Sequence, residues 1–307
     1  MRFIILGPTA SGKTGLSIAL ARRLGVSVIS ADSRQCYKHM DIGTAKPTHD
    51  ELRLVPHYNI SIFDIDEEDT AVHFHQRSKQ WEQELLSQHP HVIYAGGSTL
   101  YLRGLIAPFN ATPDANTEHL KQLEREEEQF GLERLYHRLK QIDPTYLTKM
   151  DGMNRARIFR ALDVWMQTGK PFSSFHQQHE IQPPADTLVV GLTWPRDLLY
   201  ERINERVERM ITRGLEQEVE SILKRGYSPT SQALQTVGYK EVIERIRTDT
   251  NQEHMIERIK TNTRRYAKRQ LTYFRKWDFI EWIPGSLPAE QQTEIVLSSI
   301  AAKQSKQ

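Results

Sequence analysis

Near its N-terminus the chain reads Gly7-Pro8-Thr9-Ala10-Ser11-Gly12-Lys13-Thr14. This spacing of glycines, followed by lysine and a hydroxyl residue, is the pattern of a phosphate-binding loop, or P-loop. In such a loop backbone N–H groups turn towards phosphate oxygens, and the following helix offers the positive end of its dipole. Lys13 adds a point charge, and Thr14 offers a hydroxyl ligand for Mg²⁺. We therefore predict a site for a diphosphate or a larger phosphate group, formed by Gly7, Thr9, Ala10, Ser11, Gly12, Lys13 and Thr14.

The segments around the P-loop predict an α/β fold. Residues 3–6 form a short apolar run before the loop, and residues 12–24 carry apolar side chains at helical spacing after it. Residues 71–87 are also helical in pattern. Further short apolar runs, typical of strands, lie at residues 26–30, 92–95 and 188–193. Strands separated by helices indicate a parallel sheet flanked by helices, here of the P-loop NTPase-like type.

The middle of the chain predicts an inserted all-helical lobe. Residues 107–113 are rich in turn formers, as expected at a domain boundary. Residues 116–168 then have a helical pattern without a convincing strand, and a polar segment with two prolines closes the region. We therefore predict a catalytic core made of residues 1–112 and 185–307, which ends in a basic helix, and a helical lobe at residues 113–184.

Composition favours a soluble globular protein. The chain has 307 residues, of which 38% are hydrophobic and 26% charged, and its longest apolar runs are far shorter than the roughly 18 residues that a membrane span needs. No basic segment leads into an apolar stretch at the N-terminus. Cys36 is the single cysteine, as expected in a reducing compartment. We expect a cytoplasmic protein without a membrane partner, and a monomer by default.

Asp32 is a candidate functional residue because of its place after the second predicted strand. The segment there reads Ser30-Ala31-Asp32-Ser33-Arg34-Gln35. Ligands of open parallel sheets bind at the carboxyl ends of strands, so Asp32 is expected to face the P-loop. A carboxylate beside a diphosphate either binds Mg²⁺ or accepts a proton from an attacking group. A structural alternative is that Asp32 caps the N-terminus of a helix.

Several motifs together resemble those of tRNA dimethylallyltransferases. Besides the P-loop, the resemblance includes the run Met40-Asp41-Ile42-Gly43-Thr44-Ala45-Lys46-Pro47, which is unusually specific. It continues in order at residues 30–38, 96–102, 160–164, 168–170, 238–241 and 264–275. It implies transfer of a dimethylallyl group from dimethylallyl diphosphate to N6 of the adenine that follows the tRNA anticodon, position 37. The partners would be the donor and the anticodon loop of tRNA.

The resemblance also implies roles for individual residues. The P-loop would hold the diphosphate, with Thr14 near Mg²⁺, and Asp32 would act as general base towards N6. Arg206 matches a diphosphate-binding arginine of the family, so the implied catalytic residues are Asp32, Thr14 and Arg206. The resemblance implies that Ser33, Arg34 and Gln35 help to hold the adenine. Together with the basic groups of the sequence, the expected tRNA contacts are Asp32, Ser33, Arg34, Gln35, Ser98, Arg157, Arg160, Arg265 and Arg269.

The predicted turn Gly96-Gly97-Ser98 has two interpretations. Its glycines either allow the close backbone approach that a nucleobase pocket needs, or they form an ordinary turn between a strand and a helix. Many relatives have threonine where this chain has Ser98. Because serine keeps the hydroxyl, we expect the same chemistry with altered local contacts to tRNA.

A basic helix near the C-terminus suggests a nucleic-acid contact. Residues 258–276 contain five arginines and three lysines but no acidic residue. Neutralisation of phosphates by such a helix makes binding dependent on salt. The aromatic residues in and beside this segment either stack on unpaired bases or pack on the core: Tyr266, Tyr273, Phe274 and Trp277. A second basic group lies at Arg155, Arg157 and Arg160, whereas the acidic run at 124–128 is expected to be a solvated helix face.

Other functions remain open at this point. A kinase would use the same P-loop for ATP, although the strand at 92–95 runs into glycines and not into an aspartate for Mg²⁺. A prenyltransferase of free AMP or ADP would share the core motifs, but the inserted lobe favours a macromolecular acceptor. A non-catalytic RNA-binding protein would not need Asp32 beside a P-loop. Zinc is not expected, because no cysteine cluster accompanies the pairs His73/His75, His89/His91 and His176/His179.

Overall fold

The computed structural model describes residues 1–150, 152–176, 181–249 and 251–304. They form two compact units: one comprises Met1–Ala107 and Ile181–Gln307, and the other comprises Pro108–Glu180. The lobe predicted at 113–184 therefore begins and ends slightly later in sequence than the second unit. His179, a member of one histidine pair, lies outside the described residues.

The first unit contains a six-stranded parallel sheet. In spatial order the strands are β3, β2, β4, β1, β5 and β6. Their bounds are β1 Arg2–Leu6, β2 Val28–Ser30, β3 His57–Tyr58, β4 Val92–Gly96, β5 Thr187–Thr193 and β6 Glu281–Pro284. Strand β1 lies between β4 and β5, so its carboxyl end opens at the middle of the sheet. The predicted parallel α/β fold is confirmed.

Helices connect the strands and cover the sheet. Before the second unit they are α1 Lys13–Leu24, α2 His49–Leu54, α3 Ala71–Gln88 and α4 Thr99–Ile106. After α5 to α8, which belong to the second unit, they are α9 Arg196–Thr212, α10 Leu215–Lys224, α11 Tyr239–Thr248, α12 Gln252–Phe274 and α13 Ala289–Gln304.

Both faces of the sheet are buried, which explains the continuous apolar runs of its central strands. Phe3 and Ile5 face a core shared with α1 and α13, while Ile4 and Leu6 face a core on the opposite side of the sheet. This alternation follows from the two-residue period of a strand. The central strands thereby hold the P-loop at a rigid edge.

The aromatic residues of the basic helix divide between core and surface. Phe274 and Trp277 are buried beside β1 and β4, and Tyr273 packs against the same cluster. Tyr266 is 37% exposed. Two interpretations were considered for these side chains. Packing on the core is correct for Tyr273, Phe274 and Trp277, whereas the side chain of Tyr266 is partly exposed.

The second unit is helical, with α5 Thr117–Phe130, α6 Leu132–Ile142, α7 Pro144–Leu147, α8 Arg155–Thr168 and a short 3₁₀ helix Phe172–Phe175. Its core contains Leu123, Leu135, Leu139, Ile158 and Leu162.

Ion pairs in the second unit correct one expectation. The acidic run at 124–128 is not merely a solvated face, because Glu126 pairs with Arg138 at 2.9 Å and Glu127 with Arg155 at 2.6 Å. Arg155 is thereby partly neutralised. Its neighbour Arg157 is exposed and is the more open cation of the predicted basic group.

No helix in the described ranges combines the length and apolar character that a membrane span requires.

Candidate active site

The P-loop, Asp32 and the basic helix meet at one cavity of about 790 Å³ in the first unit. The P-loop follows β1, and the Asp32 segment follows β2. Gly96 is the last residue of β4, and Gly97 comes directly after it. All of these segments therefore lie at the carboxyl edge of the sheet. Helices α9 and α12 complete the wall. Of the predicted site residues, those that line the cavity are Thr9, Ala10, Ser11, Gly12, Lys13, Thr14, Asp32, Ser33, Arg34, Gln35, Arg206 and Arg269.

The backbone of the P-loop is held in shape by bonds to its carbonyl groups. Trp194 Nε1 donates to the carbonyl of Ser11 at 3.0 Å, and Arg202 Nε donates to that of Ala10, also at 3.0 Å. Gly12 has a φ of 99°, in the left-handed region that suits glycine. Trp194 directly follows β5, and Arg202 lies on α9. Because these two side chains bond the loop carbonyls and helix geometry leaves the first N–H groups of α1 unpaired, the loop presents donors to an anion.

Glycine is required at position 7 by close packing. A Cβ there would lie 2.8 Å from the hydroxyl oxygen of Ser11, which is fully buried. That hydroxyl has no hydrogen-bond partner among the described residues. Ser11 is therefore a further polar group available to a bound phosphate.

Lys13 is held inside the site by its own loop. Its Nζ donates to the carbonyl of Pro8 at 2.8 Å. Burial, and then the charge of Arg206, lower the pKa of Lys13 to about 8, and the carboxylate of Asp32 opposes the shift. Two cations thus lie close together with the carboxylate of Asp32 beside them, which is the electrostatic state expected of a diphosphate site.

Asp32 caps a turn, not a helix. Its Oδ1 accepts the backbone N–H of Arg34 at 2.8 Å and that of Gln35 at 3.3 Å, and the residues after it form turns. The structural alternative of a helix N-cap is therefore wrong, since the capped N–H groups belong to a turn. Within the described part of the chain, Oδ2 accepts no protein hydrogen bond, so one oxygen of the half-buried carboxylate is free to act on a ligand.

Arg206 projects from α9 into the cavity. Its Nη2 donates to the carbonyl of Thr44 at 3.4 Å. Burial lowers its pKa, while the nearby Asp32 raises it. The guanidinium therefore lies between the P-loop and the loop that follows the Asp32 segment.

Gln35 lines the cavity, but its side chain is engaged by the protein. Its Oε1 accepts the hydroxyl of Ser30 at 3.1 Å, and its Nε2 donates to the carbonyls of Thr44 at 3.4 Å and Ala45 at 3.2 Å. Gln35 thus ties β2 to the segment that contains Thr44. Among the described residues, the side chains of Ser33 and Arg34 make no such hydrogen bonds, so these two are the more open members of this predicted group.

Gln270 on α12 is a site residue that the sequence did not indicate. Its Oε1 accepts the N–H of Thr9 at 2.9 Å, and its Nε2 donates to the carbonyl of Gly97 at 2.8 Å. A Cβ on Gly97 would collide with this amide, and one on Gly96 would collide with the backbone of Ala31. The close approach offered by these glycines therefore serves the packing of β4 against β2 and α12, and the amide of Thr9 is already occupied.

Other predicted tRNA contacts lie outside the cavity lining. Ser98 precedes α4, and its N–H donates to the carbonyl of Ala31 at 3.2 Å. Arg265 is exposed on α12. In the second unit, the guanidinium of Arg160 contacts Asp163 at 3.1 Å, the hydroxyl of Thr112 and the carbonyl of Pro113. These bonds give Arg160 a structural role in that unit.

In the sequence Tyr266 is one of several aromatic residues in and beside the basic helix, and in the structure it lines the cavity. Burial of its hydroxyl, followed by the charge of Asp32, raises its pKa to about 12. The signal that could have found it is helical spacing, because Thr263, Tyr266, Arg269 and Gln270 share one face of α12 and all line the cavity.

Comparisons with known proteins agree on one family. The family model for IPP transferase matches residues 35–277. The chain is 42% identical to tRNA dimethylallyltransferase 1 of Syntrophotalea carbinolica over 281 residues, which is 91% of this chain and 90% of the relative. It is 43% identical to the tRNA dimethylallyltransferase of Cytophaga hutchinsonii over 286 residues, with 92% and 93% covered.

Solved structures give the same result. The full-length tRNA isopentenylpyrophosphate transferase of Bacillus halodurans superposes with a TM-score of 0.72 at 34% identity, covering 99% of this chain and 97% of the other. A eukaryotic dimethylallyltransferase acting on tRNA superposes with a TM-score of 0.80 at 27% identity, covering 98% of this chain and 78% of the other.

Proposed function

Because this chain belongs to the IPP transferase family, we propose that it transfers a dimethylallyl group from dimethylallyl diphosphate to N6 of adenine 37 in the anticodon loop of tRNA. Diphosphate is the leaving group. The observation that carries the proposal is a single cavity lined by the P-loop, by Asp32 and by a face of the basic helix α12. Donor, base and acceptor contacts are thereby available in one place.

The P-loop end of the cavity suits the diphosphate. Departure of diphosphate concentrates negative charge on its oxygens, and prealigned donors stabilise such charge most when they lie in a partly buried site. Lys13 and Arg206 are half-buried cations beside the P-loop amides. Their charges repel each other in the free protein, so a bound anion offsets this electrostatic repulsion.

Mg²⁺ fits this end of the cavity. The ion prefers oxygen ligands and commonly takes only one or two from protein, with phosphates and water supplying the rest. Thr14, which carries a hydroxyl group, lines the cavity beside Lys13, and Asp32 lines it as well. We assign the protein ligand of Mg²⁺ to Thr14; the ion would neutralise charge on the diphosphate as it leaves.

Asp32 is proposed as the general base. An exocyclic amine that attacks an allylic carbon becomes positively charged and must lose a proton, which a carboxylate within hydrogen-bond reach accepts. Because Oδ1 accepts the two N–H groups of the turn, we assign the role of proton acceptor to Oδ2. The hydrogen bonds to Oδ1 keep the carboxylate fixed while Oδ2 accepts the proton.

The acceptor has to leave its stack to reach Asp32. Extrusion of a nucleobase costs roughly a few kcal/mol, which contacts in the pocket must offset. Ser33, Arg34 and Tyr266 are the groups on the cavity wall that suit contacts with the extruded adenine. Arg265 and Arg269 of α12, and Arg157 of the helical lobe, are assigned to tRNA phosphates.

The function is tested with labelled donors. The protein is incubated with dimethylallyl diphosphate labelled in the prenyl group and with either tRNA or AMP, and in parallel with ATP labelled in the γ-phosphate. We expect prenyl label on adenine 37 of tRNA. Label in AMP but not in tRNA would identify a free-nucleotide prenyltransferase, and transfer of the phosphate label would identify a kinase. Location in the cytoplasm and a monomeric state belong to the same proposal.

Binding of pyrophosphate is expected to weaken as the pH rises above about 8. In the free protein Lys13 has a pKa of about 8, and a bound anion raises it, so the complex is protonated where the free protein is not. The contribution of Lys13 to the affinity is therefore constant below pH 8 and falls above it by up to about tenfold per pH unit, in addition to any effect of the ionisation of pyrophosphate. Calorimetric titration between pH 6.5 and 9.5 measures this.

The control for this pH profile is Lys13→Arg. Arginine stays protonated throughout the range, so its profile reports only the ionisation of pyrophosphate itself. Equal profiles for the wild type and the variant would contradict the assignment of a lowered pKa to Lys13.

Replacing both Arg265 and Arg269 by alanine is expected to raise the KM for tRNA and to spare the affinity for pyrophosphate. Each phosphate contact that is lost reduces the slope of log Kd for tRNA against log salt by about 0.7–0.9. Filter binding at several salt concentrations measures the slope. Arg258→Ala is the matched control, since Arg258 lies on the same helix but pairs with Glu244. A slope equal to that of the wild type would show that Arg265 and Arg269 of α12 do not contact tRNA phosphates.

A further inference from the structure

Glu218, on the first turn of α10, is not among the residues that line the cavity described above, and it accepts hydrogen bonds from a set of converging donors. Its Oε2 accepts the backbone N–H of Asp41 at 2.9 Å and that of Ile42 at 2.7 Å. Its Oε1 accepts the N–H of Gly43 at 3.2 Å and the hydroxyl of Tyr239 at 2.6 Å. Consecutive backbone N–H groups that converge on one anion form a strong, directional anchor.

These bonds fix the 41–46 loop, which comprises residues 41 to 46. The loop is also closed internally, because the N–H of Ala45 donates to the carbonyl of Ile42 and that of Lys46 to the carbonyl of Asp41, both at 3.0 Å. The ring of Tyr239 packs on Gly43 so closely that a Cβ there would overlap it. The loop is therefore rigid, and Glu218 and Tyr239 hold it from one side.

The opposite side of the 41–46 loop faces the cavity. The carbonyl of Thr44 accepts from Arg206, and the carbonyls of Thr44 and Ala45 accept from the side chain of Gln35. Gln35 in turn donates its backbone N–H to Asp32. Arg206 is thus bonded directly, and Asp32 through Gln35, to the loop whose N–H groups Glu218 accepts.

We propose that Glu218 is a positioning residue that acts through the 41–46 loop on Arg206, and so on the affinity of the site for diphosphate. This inference rests on the proposed function but is tested by ligand binding alone. If the wild type binds pyrophosphate and transfers no prenyl group, the proposed function fails and the role of Glu218 is still measurable.

The test is a double-mutant cycle on the full chain, with pyrophosphate as the probe and Kd as the readout. Glu218→Gln keeps the size of the side chain but removes its negative charge and replaces one acceptor oxygen by an NH₂ group, so part of the donor set of the loop loses its acceptor. We expect Kd to rise roughly tenfold, since residues of one network are commonly coupled by a factor of that order. In an Arg206→Ala background, Glu218→Gln should change Kd by less than about twofold, because the group on which it acts is absent.

Controls separate positioning from loss of stability. Glu220→Gln changes a residue of the same helix that forms a 3.5 Å surface pair with Lys224, and it should leave Kd unchanged. The same tenfold rise with and without Arg206, or a lower thermal midpoint with an unchanged Kd, would overturn the proposal. If Glu218→Gln does not fold cooperatively, Tyr239→Phe replaces it, since phenylalanine keeps the ring on Gly43. A small rise in Kd that disappears in the Arg206→Ala background is then expected, and an unchanged Kd overturns the proposal.

Discussion

Asp32→Asn is expected to lower kcat by about 10²–10⁴-fold while leaving pyrophosphate binding nearly intact, which is the usual contribution of a positioned general base. Asparagine retains an oxygen that accepts the N–H groups of Arg34 and Gln35, so the turn keeps its cap. The group that replaces Oδ2 is an amide nitrogen, which takes up no proton at neutral pH. Single-turnover transfer from labelled donor to tRNA measures the chemical step.

The choice of asparagine matters because alanine would remove two functions at once. Asp32→Ala deletes the proton acceptor and also leaves two turn N–H groups without their partner, at a typical cost of about 1 kcal/mol for a lost cap. If Asp32→Asn and the wild type turn over at the same rate, Asp32 is not the base. Asp64→Asn serves as the control, because Asp64 is a surface carboxylate that pairs with Lys38.

The architecture of the core was predictable because its signals are local. A strand followed by the P-loop pattern and an amphipathic helix occupies residues 2–24, and the apolar runs of β4 and β5 follow from burial on both faces of the sheet. Two strands had no such signal. β3 is only His57–Tyr58, and β6, Glu281–Pro284, mixes charged and apolar residues, so neither has a periodicity that separates it from a loop.

The contacts that shape the site could not be predicted, because they join residues far apart in the chain. Gln270 reaches Thr9 across the sheet edge, and Glu218 reaches the N–H groups of residues 41–43. Nothing in the local sequence of α10 or α12 distinguishes these side chains from neighbouring polar residues. Their partners are backbone groups, which every residue carries, so only the fold reveals the pairing.

The Asp32 segment shows how a local rule gave a wrong structural alternative. Aspartate after a strand is a common helix N-cap, and Asp32 does accept backbone N–H groups in that manner. The chain nevertheless turns back towards β2. The side chains of Gln35 and Asn59 both form hydrogen bonds with Ser30. In addition, Cys36 and Tyr37 are buried in the core. Long-range burial therefore prevents a helix that the cap would permit, and the carboxylate stays at the cavity.

Arg206→Ala is expected to lower kcat for prenyl transfer by about 10²–10³-fold, the effect of removing one donor that stabilises developing negative charge in a partly buried site. The guanidinium lies beside Lys13 and Asp32 and is held by the carbonyl of Thr44. Arg206→Lys should be intermediate, since lysine keeps the charge but lacks the planar fork that matches phosphate oxygens. Pre-steady-state kinetics with saturating donor and tRNA separate this step from product release.

The same variant carries a second, independent readout. Arg206 is one of the causes that lower the pKa of Lys13, so its removal should raise that pKa. The pH above which pyrophosphate binding weakens is then expected to move upward from about 8, although binding is weaker overall. Arg196→Ala, on the exposed first turn of the same helix, should change neither rate nor profile. A rate loss without any displacement of the profile would mean that Arg206 and Lys13 do not share one anion, and the single diphosphate site would have to be abandoned.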